Sequence, residues 1–195
     1  MKNSGIILAG GQSSRMKTNK ALIKLNKKQM IEYIMVTLKS VVDEIIIVTN
    51  DPADYLDFNA VLVTDLIPKR GPLSGIHAGL KASSSQYSFV VACDMPFLSQ
   101  ALIGFMLAQS TGYDAVVPKI EGYYQPLHAV YSKFCVPHIE KTLLEGNFKV
   151  TAFYEHINIK YISEEDITPL ADINKVFFNI NDRDDLIKAE EMVGE

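Results

Sequence analysis

Cysteine is scarce in this chain. Cys93 and Cys135 form neither a C-x-x-C pair nor a zinc pattern, which argues against a disulfide framework and a structural zinc and leaves two reduced, partly buried thiols in a cytoplasmic protein. The four histidines, His77, His128, His138 and His156, never take the H-x-x-x-H spacing that sets two ring nitrogens on one helix face. No lysine or arginine block occurs and the net charge is −4, so binding to a nucleic-acid backbone is not expected. The longest uncharged stretch, residues 82–111 apart from Asp94, is cut by serines and by Met95-Pro96. It reads as a strand and a helix rather than a membrane span. Residues 1–4 lead straight into an apolar run, leaving no room for a signal peptide.

What remains is ordinary globular material. Nearly half of the 195 residues are hydrophobic, and a chain of this size buries about 70% of its unfolded surface. Strand and helix signals alternate. Strands are expected at 5–9, 44–49, 60–64 and 87–93, the run Ile45-Ile46-Ile47-Val48 being of the kind covered on both faces. Helices are expected at 30–41, 73–83 and 99–108, the last with Ser99 as N-cap. Further on, 114–118 and 126–131 read as strands, the second in antiparallel sense, and 157–162 and 175–178 as short strands between helices at 134–144 and 185–192. The rhythm implies an α/β fold: one domain over 1–195, with a mostly parallel sheet and helices on both faces. In such sheets ligands sit beyond the carboxyl ends of the strands.

Several polar residues fall at those ends. Ile6-Ile7-Leu8-Ala9 runs into Gly10-Gly11 and then to Arg15, Lys17 and Lys20. A glycine turn after a strand lets backbone N–H groups approach phosphate oxygens, and the cations can neutralise a polyphosphate. The spacing is neither G-x-x-x-x-G-K-[ST] nor G-x-G-x-x-G, and an ordinary strand-to-helix turn with surface lysines also fits. Asp94 follows the run Phe89–Ala92; it suits either magnesium, which takes one or two carboxylates and completes itself with phosphate and water, or the cap of a turn. Asp65 can accept from guanine N1–H and N2–H or from a ribose hydroxyl, or open an Asx-turn. Asn50 sits at the matching edge of the second strand. Gly75 and Gly79 give a helix a smooth packing face. His128 reads as a structural histidine, not a base. Asp182 can cap the last helix, and Asn179 and Asn181 alternate on one strand face around Ile180.

Five of these segments resemble one family. Residues 8–20 resemble the L-A-G-G-x-S-x-R-M-G-x-x-K signature of nucleotidyltransferases, especially the molybdenum cofactor guanylyltransferases, with Lys17 where the family has glycine. Residues 93–98 resemble its C-D-x-P-F-L stretch, 71–76 its G-P-L-x-G-I element and 125–131 its Q-P-L-x-A-x-Y stretch. Residues 179–186 resemble N-I-N-T-P-E-D-L, with Asp182 and Arg183 replacing Thr-Pro. The resemblance implies a three-layer Rossmann-like nucleotide-diphospho-sugar transferase fold and a Mg²⁺-dependent transfer of GMP from GTP to a molybdenum-bearing pterin phosphate. It assigns Leu8, Ala9, Gly10, Gly11, Arg15 and Lys20 to the triphosphate, Asn50 and Asp65 to the base, and Asp94 to metal and nucleotide. Gln125, Pro126, Asn179 and Asn181 fall on the acceptor side. Hand-over of the product to molybdoenzymes or their chaperones is implied as well. Lys17 leaves two other readings open: a cytidylyltransferase acting on a pterin or sugar-alcohol phosphate, or a non-catalytic nucleotide- or pterin-binding protein.

Overall fold

The computed structural model describes residues 2–10, 19–65 and 71–194. Its strands are Asn3–Leu8 (β1), Glu44–Val48 (β2), Val61–Val63 (β3), Tyr87–Ala92 (β4), Ala115–Ile120 (β5), His128–Ser132 (β6) and Ile159–Ile162 (β7). Its helices are Met30–Leu38 (α1), Pro72–Ala82 (α2), Gln100–Ala108 (α3), Cys135–Leu144 (α4), Glu164–Ile167 (α5), Ile173–Val176 (α6) and Arg183–Gly194 (α7). In space the strands run β7-β5-β6-β4-β1-β2-β3, with a two-residue strand, Tyr123–Tyr124, added to β5. Neighbours are parallel except for β6, which is antiparallel to both β4 and β5.

Alternation along the strands explains the layers. Ile7, Ile47, Phe89 and Val91 face α1 and α3, joining Ile31, Ile34, Leu38, Leu102 and Met106 in one buried cluster. Ile6, Leu8, Ile46, Val48 and Val90 face the other way, onto Leu73, Ile76 and Leu80 of α2 and Ile139 and Leu143 of α4. With no polar face, the strands are stable only between two helical layers. Packing on the α2 side is close: a Cβ placed on Gly79 would lie 2.6 Å from Ile6 Cγ2, and one on Gly75 3.1 Å from Leu8 Cδ2. The glycines four apart therefore serve packing, as their spacing suggests.

Two expectations need correction. Residues 175–178 are not a strand: Asp172 accepts from the amides of Asn174 and Lys175 and starts the short helix α6 instead. Asn179 and Asn181 consequently lie on an irregular segment, where Ile180 is buried and its N–H donates to the Asp94 carbonyl at 2.9 Å. Helix α1 ends at Leu38, three residues short of the expected end. Ser99 does cap α3, accepting from Leu102 N at 3.2 Å, and β6 is antiparallel as expected.

Candidate active site

Because β1, β2, β3 and β4 are parallel, their carboxyl ends share one edge of the sheet, and the residues following them meet there. Gly10 follows β1, Asn50 follows β2, Asp65 follows β3 and Asp94 follows β4. Asp65 is half-buried, and its carboxylate is hydrogen-bonded by Asn50 and by Ser74 of α2. Burial raises its pKa above the ordinary aspartate value, while the two hydrogen bonds pull the other way. The bare Cα of Gly75 faces Asp65, and that of Gly10 faces Asn50, at 3.7 Å and 3.9 Å from a would-be Cβ. Asn50 and Asp65 thus form one hydrogen-bonded pair against which the two glycines present no side chain.

The neighbouring part of the edge is built on charge. Lys20 begins a short 3-10 helix, Lys20–Leu22, and its Nζ donates to Asp94 Oδ2 at 3.2 Å and to Asn181 Oδ1 at 2.9 Å. The Lys20 and Asp94 side chains are 16% and 20% exposed, so the pair is shielded yet reachable. Asn181 is positioned by its own N–H, which donates to Asp185 Oδ2 at 3.0 Å. Asp94 is held by a tight turn, Met95 N to Ala92 O at 3.2 Å, and by the bond from Ile180. Its second oxygen, Oδ1, is buried without a hydrogen-bond partner among the described residues. An orphaned carboxylate oxygen beside a lysine suits a hard divalent cation. No three His, Cys, Asp or Glu side chains cluster as a metal set among the described residues, so such an ion would draw its remaining ligands from phosphate and water.

The other expected residues differ in placement. The Ala9 N–H is already donated to Val48 O at 2.9 Å, so of the expected amides Ala9 is not available to phosphate, and Leu8 is the last residue of the β1 ladder. Gly11, Arg15 and Lys17 lie outside the described residues. Gln125 and Pro126 precede β6, which starts at this edge because it runs against its neighbours; the Pro126 carbonyl accepts from the Tyr131 hydroxyl at 2.9 Å. Asn179 is exposed and turns to its own chain, Nδ2 to Phe177 O at 3.1 Å; only Asn181 of that pair reaches Lys20. His128 is fully buried between the edges of Phe89 and Phe177. Burial lowers its pKa to about 3 and neither ring nitrogen has a partner among the described residues, which fits a structural residue. Cys93 is likewise inert, its thiol pushed up to about 12 by burial.

Tyr55 escapes sequence reasoning. Its hydroxyl, in the 3-10 turn Pro52–Tyr55, shares one proton between Asn19 Oδ1 at 2.9 Å and the Ala9 carbonyl at 3.3 Å. It therefore ties Ala9, at the end of β1, to Asn19. Burial pushes the hydroxyl to about 12, so it stays a donor. A lone tyrosine after a proline carries no sequence signal of such a role.

Residues 5–160 match the family model described as a MobA-like NTP transferase domain. A "Probable molybdenum cofactor guanylyltransferase" of Pelotomaculum thermopropionicum is 44% identical over 98% of this chain and 94% of its own length. A "Molybdenum cofactor guanylyltransferase" of Desulfosudis oleivorans is 43% identical over 96% of the chain and 94% of its length. Among solved structures, molybdopterin-guanine dinucleotide biosynthesis protein A from Archaeoglobus fulgidus superposes with a TM-score of 0.86 at 29% identity, covering 98% of both chains. The Rossmann-like nucleotidyltransferase fold expected from the motifs is thereby established. On the match over residues 5–160 and on these relatives, the chain belongs to the molybdenum cofactor guanylyltransferase family and carries a MobA-like NTP transferase domain.

Proposed function

We propose that this protein transfers GMP from GTP to the terminal phosphate of a molybdenum-bearing molybdopterin, giving the guanine dinucleotide cofactor and pyrophosphate. The observation that carries the reading is the placement of Lys20 Nζ between Asp94 and Asn181, which joins the nucleotide loop to a segment on the acceptor side. The names of the relatives supply the substrates.

In this reading Asp65, steadied by Asn50 and Ser74, accepts from the guanine N1–H and N2–H. Leu8 and Ala9 form the floor, and the amides from Gly10 onward, with Gly11 and Arg15, take the triphosphate together with Lys20. Gln125, Pro126, Asn179 and Asn181 face the pterin. Asp94, with Oδ1 unpartnered and Oδ2 on Lys20, is the residue that would hold Mg²⁺. The ion, when bound, offsets charge building on the phosphate oxygens. An oxygen of the pterin phosphate attacks the α-phosphorus in line. The bond to the bridging oxygen breaks, and its electron pair leaves with pyrophosphate. A phosphate is already an anion, so no side chain needs to act as base; Lys20 and Asn181 supply position and charge.

No helix among the described residues is long and apolar enough to cross a membrane, and the proposed setting is the cytoplasm, with transient delivery of product to molybdoenzymes or their chaperones. Titration with GTP, CTP, ATP and UTP, with and without Mg²⁺, followed by pyrophosphate release in the presence of acceptor, tests the proposal. Mg²⁺-dependent release with GTP alone is expected. Preference for CTP would reassign the base, and binding without release would make the chain an accessory protein.

A further inference from the structure

A cavity of about 320 Å³ is lined by residues from several segments, and neither Lys20, Asp94 nor Asn181 is among them. Its walls are nevertheless extensions of the segments that carry those three. The loop Pro96–Ser99 continues directly from Asp94. Ala171–Val176 leads into Asn181, and Lys28 stands on the hairpin that follows Lys20. Helix α1 closes the remaining side with Tyr33, Val36 and Thr37.

The lining is apolar and aromatic with cations at its rim. Lys28 Nζ stands 5.8 Å over the Tyr33 ring, and Lys175 Nζ 5.6 Å over Phe97. Neither lysine has an ion-pair partner among the described residues. The lining carries one acid, Asp172, whose Oδ1 accepts from the amides of Asn174 and Lys175 at 2.9 Å and 3.4 Å; the two lysines still outnumber it. Lys175 also donates to the Met192 carbonyl at 2.7 Å, which fixes its position. Two ammonium groups beside ring faces, one of them fixed by the Met192 carbonyl, in a space of small-molecule size suit a planar, negatively charged guest.

We propose that this cavity is a second ligand site, for a flat aromatic anion, and that filling it shifts the Lys20–Asp94–Asn181 centre. The binding half stands apart from the function proposed above; any effect on turnover rests on it. The physical link is short. Phe97 packs with Leu25, Met30 and Ile180 in one small cluster, and the Ile180 N–H donates to the Asp94 carbonyl. A ring pressed against Phe97 displaces Ile180, and with it the neighbouring Asn181.

The chain has no tryptophan, so Val36→Trp, at a rim position 58% exposed, gives a single reporter. The probe is 8-anilinonaphthalene-1-sulfonate, with its own emission on the unmodified chain as the check that the reporter has not altered the site. Saturable one-to-one quenching is expected, weakened about tenfold by Lys28→Glu and by replacing the probe with uncharged N-phenyl-1-naphthylamine. Equal affinity in either case, or displacement of the probe by GTP, overturns the site. Amide NMR shifts of Asp94 and Asn181 on adding the probe read the coupling without any need for turnover. Binding that leaves both unmoved overturns the coupling, and absence of pyrophosphate release in the unmodified protein would count against the proposed function alone.

Discussion

The Lys20 ammonium lies 3.2 Å from the Asp94 carboxylate although 74 positions separate them. A lysine that opens the 3-10 helix Lys20–Leu22 and an aspartate just past β4 meet only because β1 and β4 are adjacent parallel strands. Had the two lain on different edges of the sheet, no common phosphate could touch both. Asp94→Ala and Lys20→Met are each expected to fold and to lose about 100-fold or more in kcat. The double variant should be little worse than either alone, since the two act as a unit. Circular dichroism and pyrophosphate release check this.

Tyr55→Phe should leave the chemistry and loosen the tie between Ala9 and Asn19. The lost hydroxyl removes a bond of about 1 kcal/mol and leaves the Ala9 carbonyl and Asn19 side chain without that donor. A rise of about fivefold in KM for GTP is expected, with kcat changed much less. An equal fall in kcat would instead place Tyr55 in the transition state.

Asp65 is charged at a cost. Its folded-state pKa is raised, chiefly by burial, so the native state binds the proton more tightly than the unfolded chain, and this group's contribution falls as pH rises through the folded pKa. Asp65→Asn removes that cost. At pH 7.5 the variant should melt at or above the temperature of the parent, while losing about tenfold or more in GTP affinity. Thermal melts and nucleotide titration on the same preparation separate the two effects.

His128 predicts an acid-labile fold. Its folded pKa of about 3 lies below the ordinary value of 6.5. Below pH 6.5 the unfolded chain therefore takes up a proton that the native state refuses, and stability is lost as pH falls toward 3. From pH 7.5 to 5 this one group costs about 2 kcal/mol. His128→Leu should flatten that part of the pH dependence, as read by urea melts at both pH values.

Much of this was legible in the residues. The run Ile45–Val48 and the segment Phe89–Ala92 declare buried strands, and Asp94, Asp65 and Asn50 follow strands closely enough to be placed at one edge. Asn179 and Asn181 were harder. Their alternation around Ile180 imitates a strand, but Asp172 caps a helix just upstream, and the bond from Ile180 to Asp94 replaces a ladder. Tyr55 was invisible because its two partners lie 36 and 46 positions away. Ala9 reads as a phosphate amide until β2 is seen to claim its N–H.

The reversed strand β6 has a wider consequence. Since it runs against β4 and β5, the chain between Ile120 and His128 is a hairpin return at the edge that carries Asp94, whereas Asn50 and Asp65, the residues proposed to receive the base, follow β2 and β3 in the parallel half of the sheet. A hairpin return tolerates lengthening far better than a buried strand does. If the proposed roles hold, growth or trimming of that return would alter the acceptor side and leave the proposed nucleotide side untouched.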